Sequence, residues 1–166
     1  DILALDGDPS RAGLRAASLR GDKAALVAFA ASGDLAAQPA ATQWLLAQAL
    51  SRVDERERAV GVLRTARRVH PDDFVLAMDL ARTLRSLGAQ HGPEAVHNYA
   101  IAVALRPDNI EAWHELGLMR ESALGQPGEA LEDFRAALER RPDDAHLRFH
   151  AAHALGALGQ GAQSIA

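Results

Sequence analysis

His146, His150 and His153 recur at i, i+4 and i+7, so any helix that carries them places all three on one face. Imidazoles at that spacing bind zinc, and Glu111, His114 and Glu115 fall where a preceding helix would face them. The plainer reading is the stronger one: these are neutral or exposed histidines on a groove wall, with no identifiable partners to orient their rings. No metal and no cofactor is expected. His70, His91 and His97 fall at helix ends or exposed turns. No serine, histidine and aspartate set and no carboxylate pair suited to acid-base work emerges. The Asp and Glu residues gather at helix starts, where the helix dipole accounts for them, and catalysis is not expected.

The elements that position these side chains are helices. The 166 residues are 48% hydrophobic but only 4% aromatic, so the apolar content is mostly Ala and Leu, which favour helix over strand. With 18 Lys+Arg against 22 Asp+Glu the formal charge is −4, which offers no broad cationic surface for nucleic acid or anionic lipid. Cysteine is absent, which excludes disulfides and thiolate metal sites. No apolar run approaches the roughly 20 residues that span a bilayer. The chain opens at Asp1 without a basic leader or an initiator Met and ends abruptly at Ala166. A cytoplasmic segment of a larger protein is the expectation.

Three prolines share a context: His70-Pro71-Asp72-Asp73, Arg106-Pro107-Asp108-Asn109 and Arg141-Pro142-Asp143-Asp144, spaced 36 and 35 residues apart. Each proline lacks an N–H and disfavours helix at the residue before it, while the Asp or Asn that follows caps the next helix. Counting back from each proline, position five is Ala66, Ala102 or Ala137; position eight is Leu63, Tyr99 or Phe134; position twelve is Ala59, Ala95 or Ala130. Small residues at the crossing let paired helices approach, and the large one fills the groove a turn later. Forward from Asn109 runs Trp113-His114-Glu115-Leu116-Gly117, with Gly117 the small contact. This pattern, at a period of about 34 residues, resembles the tetratricopeptide repeat (TPR). The sequence departs from it at Arg120, where a Tyr is usual, and at Trp44, one position late.

The expected fold is all-α, a right-handed TPR-type superhelix of antiparallel helix pairs: 40–52 with 54–69, 73–87 with 93–105, and 109–124 with 128–140. A fourth pair opens at 144–158, and its second helix would begin near Ala162. The array occupies 37–166, as repeats of about 40–73, 74–109 and 110–144 with a partial repeat at 145–166. Before it, Asp8-Pro9-Ser10 and Gly21-Asp22 signal two shorter helices, 10–20 and 22–32, so that 1–36 forms a cap or a degenerate repeat.

The stretches Gln38-Pro39-Ala40-Ala41-Thr42-Gln43-Trp44-Leu45-Leu46-Ala47, His70-Pro71-Asp72-Asp73-Phe74 and Tyr99-Ala100-Ile101-Ala102-Val103-Ala104-Leu105-Arg106-Pro107 resemble the repeat region that follows the catalytic domain in large multidomain bacterial serine/threonine protein kinases. The likeness covers about Asp8 to Asp144 and implies recruitment or regulation, not phosphate transfer. Asp72-Asp73-Phe74-Val75 lacks the glycine of a magnesium-binding loop, and no glycine-rich loop or His-Arg-Asp loop is present.

In a TPR array the first helices line the concave face. Projecting the register gives Trp44 and Gln48, then Val75, Met78, Asp79 and Arg82, then Glu111, His114, Glu115 and Leu118, and finally His146, Phe149, His150 and His153 as contacts for a protein or peptide partner. Trp44, being one position late, belongs either to this face or to the core. TPRs that hold acidic chaperone C-termini use a clamp of Lys, Asn and Arg. Trp44, Gln48, Asp79, Glu111 and Glu115 stand in those places here, so a basic or neutral peptide is expected. The alternative is a homodimer formed through the incomplete C-terminal repeat.

Overall fold

The computed structural model describes residues 9–159, and every regular element among them is helical. The helices are α1 (Pro9–Arg20), α2 (Lys23–Ala30), α3 (Ala40–Arg52), α4 (Arg56–Val69), α5 (Phe74–Leu87), α6 (Gly92–Leu105), α7 (Ile110–Leu124), α8 (Pro127–Arg140) and α9 (Ala145–Ala157). Short 3-10 turns occupy Leu35–Ala37 and Ala89–His91. The chain divides after Leu76 into two compact units. The expected second helix of the last pair, near Ala162, lies outside the described residues.

One corner recurs wherever a proline was read as a stop. The N–H groups of His70, Arg106 and Arg141 still reach the carbonyls of Ala66, Ala102 and Ala137, at 2.8, 2.9 and 3.1 Å. Their φ values of −123, −137 and −141° have already left the helix, as the following proline requires. Two residues past each proline a side chain opens the next helix. Asp73 accepts from the N–H groups of Val75 and Leu76 at 2.8 and 3.1 Å, Asn109 from that of Ala112 at 2.8 Å, and Asp144 from those of His146 and Leu147 at 3.0 and 3.2 Å.

In the N-terminal unit α3 packs against α4, and α1 and α2 pack on each other and onto α3. Leu14, Ala17, Leu26, Leu46, Ala47, Leu50, Ala59, Leu63 and Ala66 are all closed to solvent. The polar Gln43 is also fully buried, with its Nε2 donating to the carbonyl of Gln38 at 2.7 Å.

In the C-terminal unit α7 packs against α6 and α8, and α9 packs against α8 and α7. Ala95, Tyr99, Ala102, Ala130, Phe134 and Ala137 are completely buried, which is the register read from the prolines. One close crossing joins α7 to α8. A Cβ placed on Gly117 would lie 2.6 Å from Cε1 of Phe134, so the ring of Phe134 occupies the space a side chain would need. The longer turn between α5 and α6 is entered through Gly88, whose φ of +112° suits glycine.

Arg120 replaces the usual Tyr because its guanidinium reaches the paired helix: Nη1 lies 2.8 and 2.9 Å from the two oxygens of Asp133 on α8. Burial nevertheless pushes the Asp133 carboxyl up to about 6, against the pull of Arg120.

Two glycines separate packing from propensity. Gly117→Ala should destabilise the chain by about 1–3 kcal/mol in denaturant melts through overpacking against Phe134. Gly61→Ala on α4, where a Cβ meets nothing within 4 Å, should stabilise it by about 0.5–1 kcal/mol; changes of equal sign would show the crossing to be misplaced. Asp133 gives a pH test. Its folded value lies above the ordinary 3.8, so its contribution is full below that value and is lost as pH rises through about 6. Asp133→Asn removes this loss, and the melting-temperature difference from wild type should move in the variant's favour between about pH 4.5 and about pH 7.5. Movement the other way would show that the pair with Arg120 outweighs burial.

Candidate partner-binding surface

In the N-terminal unit the indole of Trp44 is 36% exposed on α3, and Val75, at the start of α5, is 42% exposed. They lie on a groove of about 380 Å³ lined by Ala40, Ala41, Trp44, Asp73, Val75 and Leu76. All of its lining except Asp73 is apolar, so the one carboxylate sets its charge. Gln48, one turn along from Trp44, is half-buried. Ala40, Ala41 and Asp73 were not among the residues projected onto the open face. Alanine carries no chemical signature in a sequence, and Asp73 is fully accounted for there as a helix cap.

The C-terminal unit corrects several expectations. Met78 is 2% exposed and belongs to the core, so it offers no open contact. Asp79 is also buried, at 7%, and holds Arg82 at 3.3 Å. Arg82 is not free to meet a partner's carboxylate, because its Nη2 also donates to Oε1 of Glu111 at 2.6 Å. Glu115 is likewise engaged, taking a hydrogen bond from Arg85 and lying 3.5 Å from the hydroxyl of Tyr99. Burial and the Glu115 charge together push Tyr99 well above the ordinary phenol value. Leu118 is half-buried and packs onto the apolar cluster of α8 and α9. The helical projection gives a direction around each helix but not which residues a neighbouring helix covers, and Met78 and Asp79 are covered.

The histidines also sort differently from their spacing. His153 turns away to α7, where its Nδ1 lies 2.8 Å from Oε1 of Glu121, and it stacks beside Phe149. His146 and His150 come together instead, with Nε2 atoms 3.2 Å apart. His114 on α7 completes the group, its ring centroid 5.0 Å from that of His146 and 5.1 Å from that of His150. Phe134 stacks under His150 at 5.5 Å and meets His114 at 6.1 Å, so one buried ring supports both imidazoles. Burial first, then the neighbouring imidazoles, hold His114 below the ordinary histidine value; the same causes lower His150. Phe149 is 63% exposed, the most open of the projected apolar residues.

No helix among the described residues is long and apolar enough to cross a membrane. No family model matches the chain, and no curated protein matches it. Solved structures do. MamA MSR-1 superposes with a TM-score of 0.74 at 20% identity, over 95% of this chain and 92% of that one. MamA 41-end from Desulfovibrio magneticus RS-1 gives 0.74 at 18% identity, over 94% and 89%. The first TPR of Spaghetti (RPAP3), bound to the HSP90 peptide SRMEEVD, gives 0.64 at 21% identity, over 72% and 93%. Together with the all-helical architecture and the repeated crossing of small residues, these likenesses show that the chain has a TPR-like fold.

Proposed function

We propose that the chain is a peptide- or protein-binding module without catalytic activity, and that the groove beside Trp44 takes a neutral or basic peptide with a large apolar side chain. The observation that carries this reading is the groove itself: apolar walls from Ala40, Ala41, Trp44, Val75 and Leu76, with the Asp73 carboxylate as its only charge. An apolar side chain buried there gains roughly 1.5–3 kcal/mol, and a Lys or Arg beside it in the ligand meets Asp73. The likeness in fold to a TPR that holds SRMEEVD supports peptide capture in general. The charges here oppose that particular chemistry. Asp73 would repel an acidic peptide, and in the C-terminal unit Arg82 and Arg85 are already engaged by carboxylates. The resemblance to repeat regions of bacterial serine/threonine kinases supports a regulatory role within a larger cytoplasmic protein.

Panning a displayed random-peptide library against the chain tests this. Peptides with a large apolar residue next to Lys or Arg should be enriched, Trp44→Ala should weaken the selected peptides by about tenfold or more, and SRMEEVD should not compete. Enrichment of acidic peptides, or binding indifferent to Trp44→Ala, would overturn the reading.

Self-association is a second reading, favoured by Phe149 standing open on α9. It predicts a dimer by sedimentation at micromolar concentration that Phe149→Asp dissolves; a monomeric wild-type chain would end it.

A further inference from the structure

The three histidines that meet between α7 and α9 belong to the C-terminal unit and are not used by the proposed peptide binding. One ring nitrogen from each of His114, His146 and His150 lies within 4.8 Å of the others. The Nε2 atoms of His146 and His150, 3.2 Å apart, are already near the separation of about 3.3 Å that two nitrogens adopt on one tetrahedral zinc with bonds of roughly 2.0–2.1 Å. Two ring nitrogens at that distance need either a proton shared between them or a cation held by both. His114 supplies the second sign of a ligand, because its Nε2 is buried and has no hydrogen-bond partner, an arrangement that normally carries a cost.

We propose that His114, His146 and His150 form a three-histidine site for a late first-row divalent metal, zinc above all, with a fourth position open to solvent.

The chemistry of the donors selects the metal. Imidazole suits zinc, nickel and copper, whereas magnesium and calcium prefer carboxylate and carbonyl oxygens. None of the nearby carboxylates competes for the role. Glu121 is engaged by His153, and Asp144 caps the start of α9 through two backbone N–H groups. The site is preorganised by packing: α7 and α9 are in contact, and the Phe134 ring lies against both His114 and His150. His146 is exposed while the other two are half-buried, so the open side of the group faces solvent. A divalent ion bound by three neutral imidazoles keeps its full charge, and the fourth position therefore suits water or an anionic group.

The expected binding set differs from the one that spacing alone suggests. His153 continues the i, i+4, i+7 face but is turned to Glu121, and it takes no part. That difference makes the test specific.

The full chain, freed of any histidine tag and stripped with chelator, is titrated with zinc chloride by calorimetry, and its melting temperature is followed with zinc and with magnesium. One equivalent of zinc should bind and raise the melting temperature, and magnesium at the same concentration should not. His146→Ala, at an exposed position that leaves the core intact, should weaken zinc by about tenfold or more, while His153→Ala should leave it unchanged. Cobalt should give the intense visible bands of four-coordinate binding in the wild-type chain and lose them in His146→Ala. Zinc binding that survives His146→Ala, that depends equally on His153, or that is absent altogether would overturn the proposal.

Discussion

The close approach of paired helices at small side chains is the constraint on which the rest depends. Where α7 crosses α8, the ring of Phe134 fills the space that a Cβ on Gly117 would need. The consequences reach well beyond that contact. With the ring seated there, its other surface is left to His114 and His150, so an apolar packing decision in the core also fixes where two imidazoles stand. The same geometry brings Arg120 within reach of Asp133 across the pair. In that sense the polar chemistry of this unit is a by-product of how tightly two helices nest.

The repeat was legible in the sequence because it is written in residues with few alternatives. Pro71, Pro107 and Pro142 stop the helices before them, Asp73, Asn109 and Asp144 cap the next ones through a short side chain, and alanine repeated at a fixed offset from those prolines marks the crossings. All nine helices of the described residues start and end within about three residues of where these signals place them. Arg120 read as a defect in the pattern, yet it has a structural reason in Asp133, which no spacing rule connects to it.

The binding surface was less legible, for a physical reason that differs from residue to residue. Periodicity gives a direction around one helix axis, but burial depends on what the next helix brings. Met78 and Asp79, projected onto the open face, are buried. Arg82 is accessible in part, but its charge is engaged by Asp79 and Glu111. His114 was placed opposite the C-terminal histidines correctly, whereas His153 could not be separated from them by spacing, since its departure is decided by Glu121 thirty-two residues away. Ala40 and Ala41 form walls without announcing it, as residues with no functional group always do.

Asp73 serves two masters. Its carboxylate starts α5 by accepting from two backbone N–H groups, and it is also the sole charge on the groove beside Trp44. A lineage that drifted toward acidic ligands by reversing this charge would forfeit the helix start, at about 1 kcal/mol. New specificity is therefore cheaper to evolve at Ala40 and Ala41, by changing the depth and shape of the recess, than at the residue that gives it its sign.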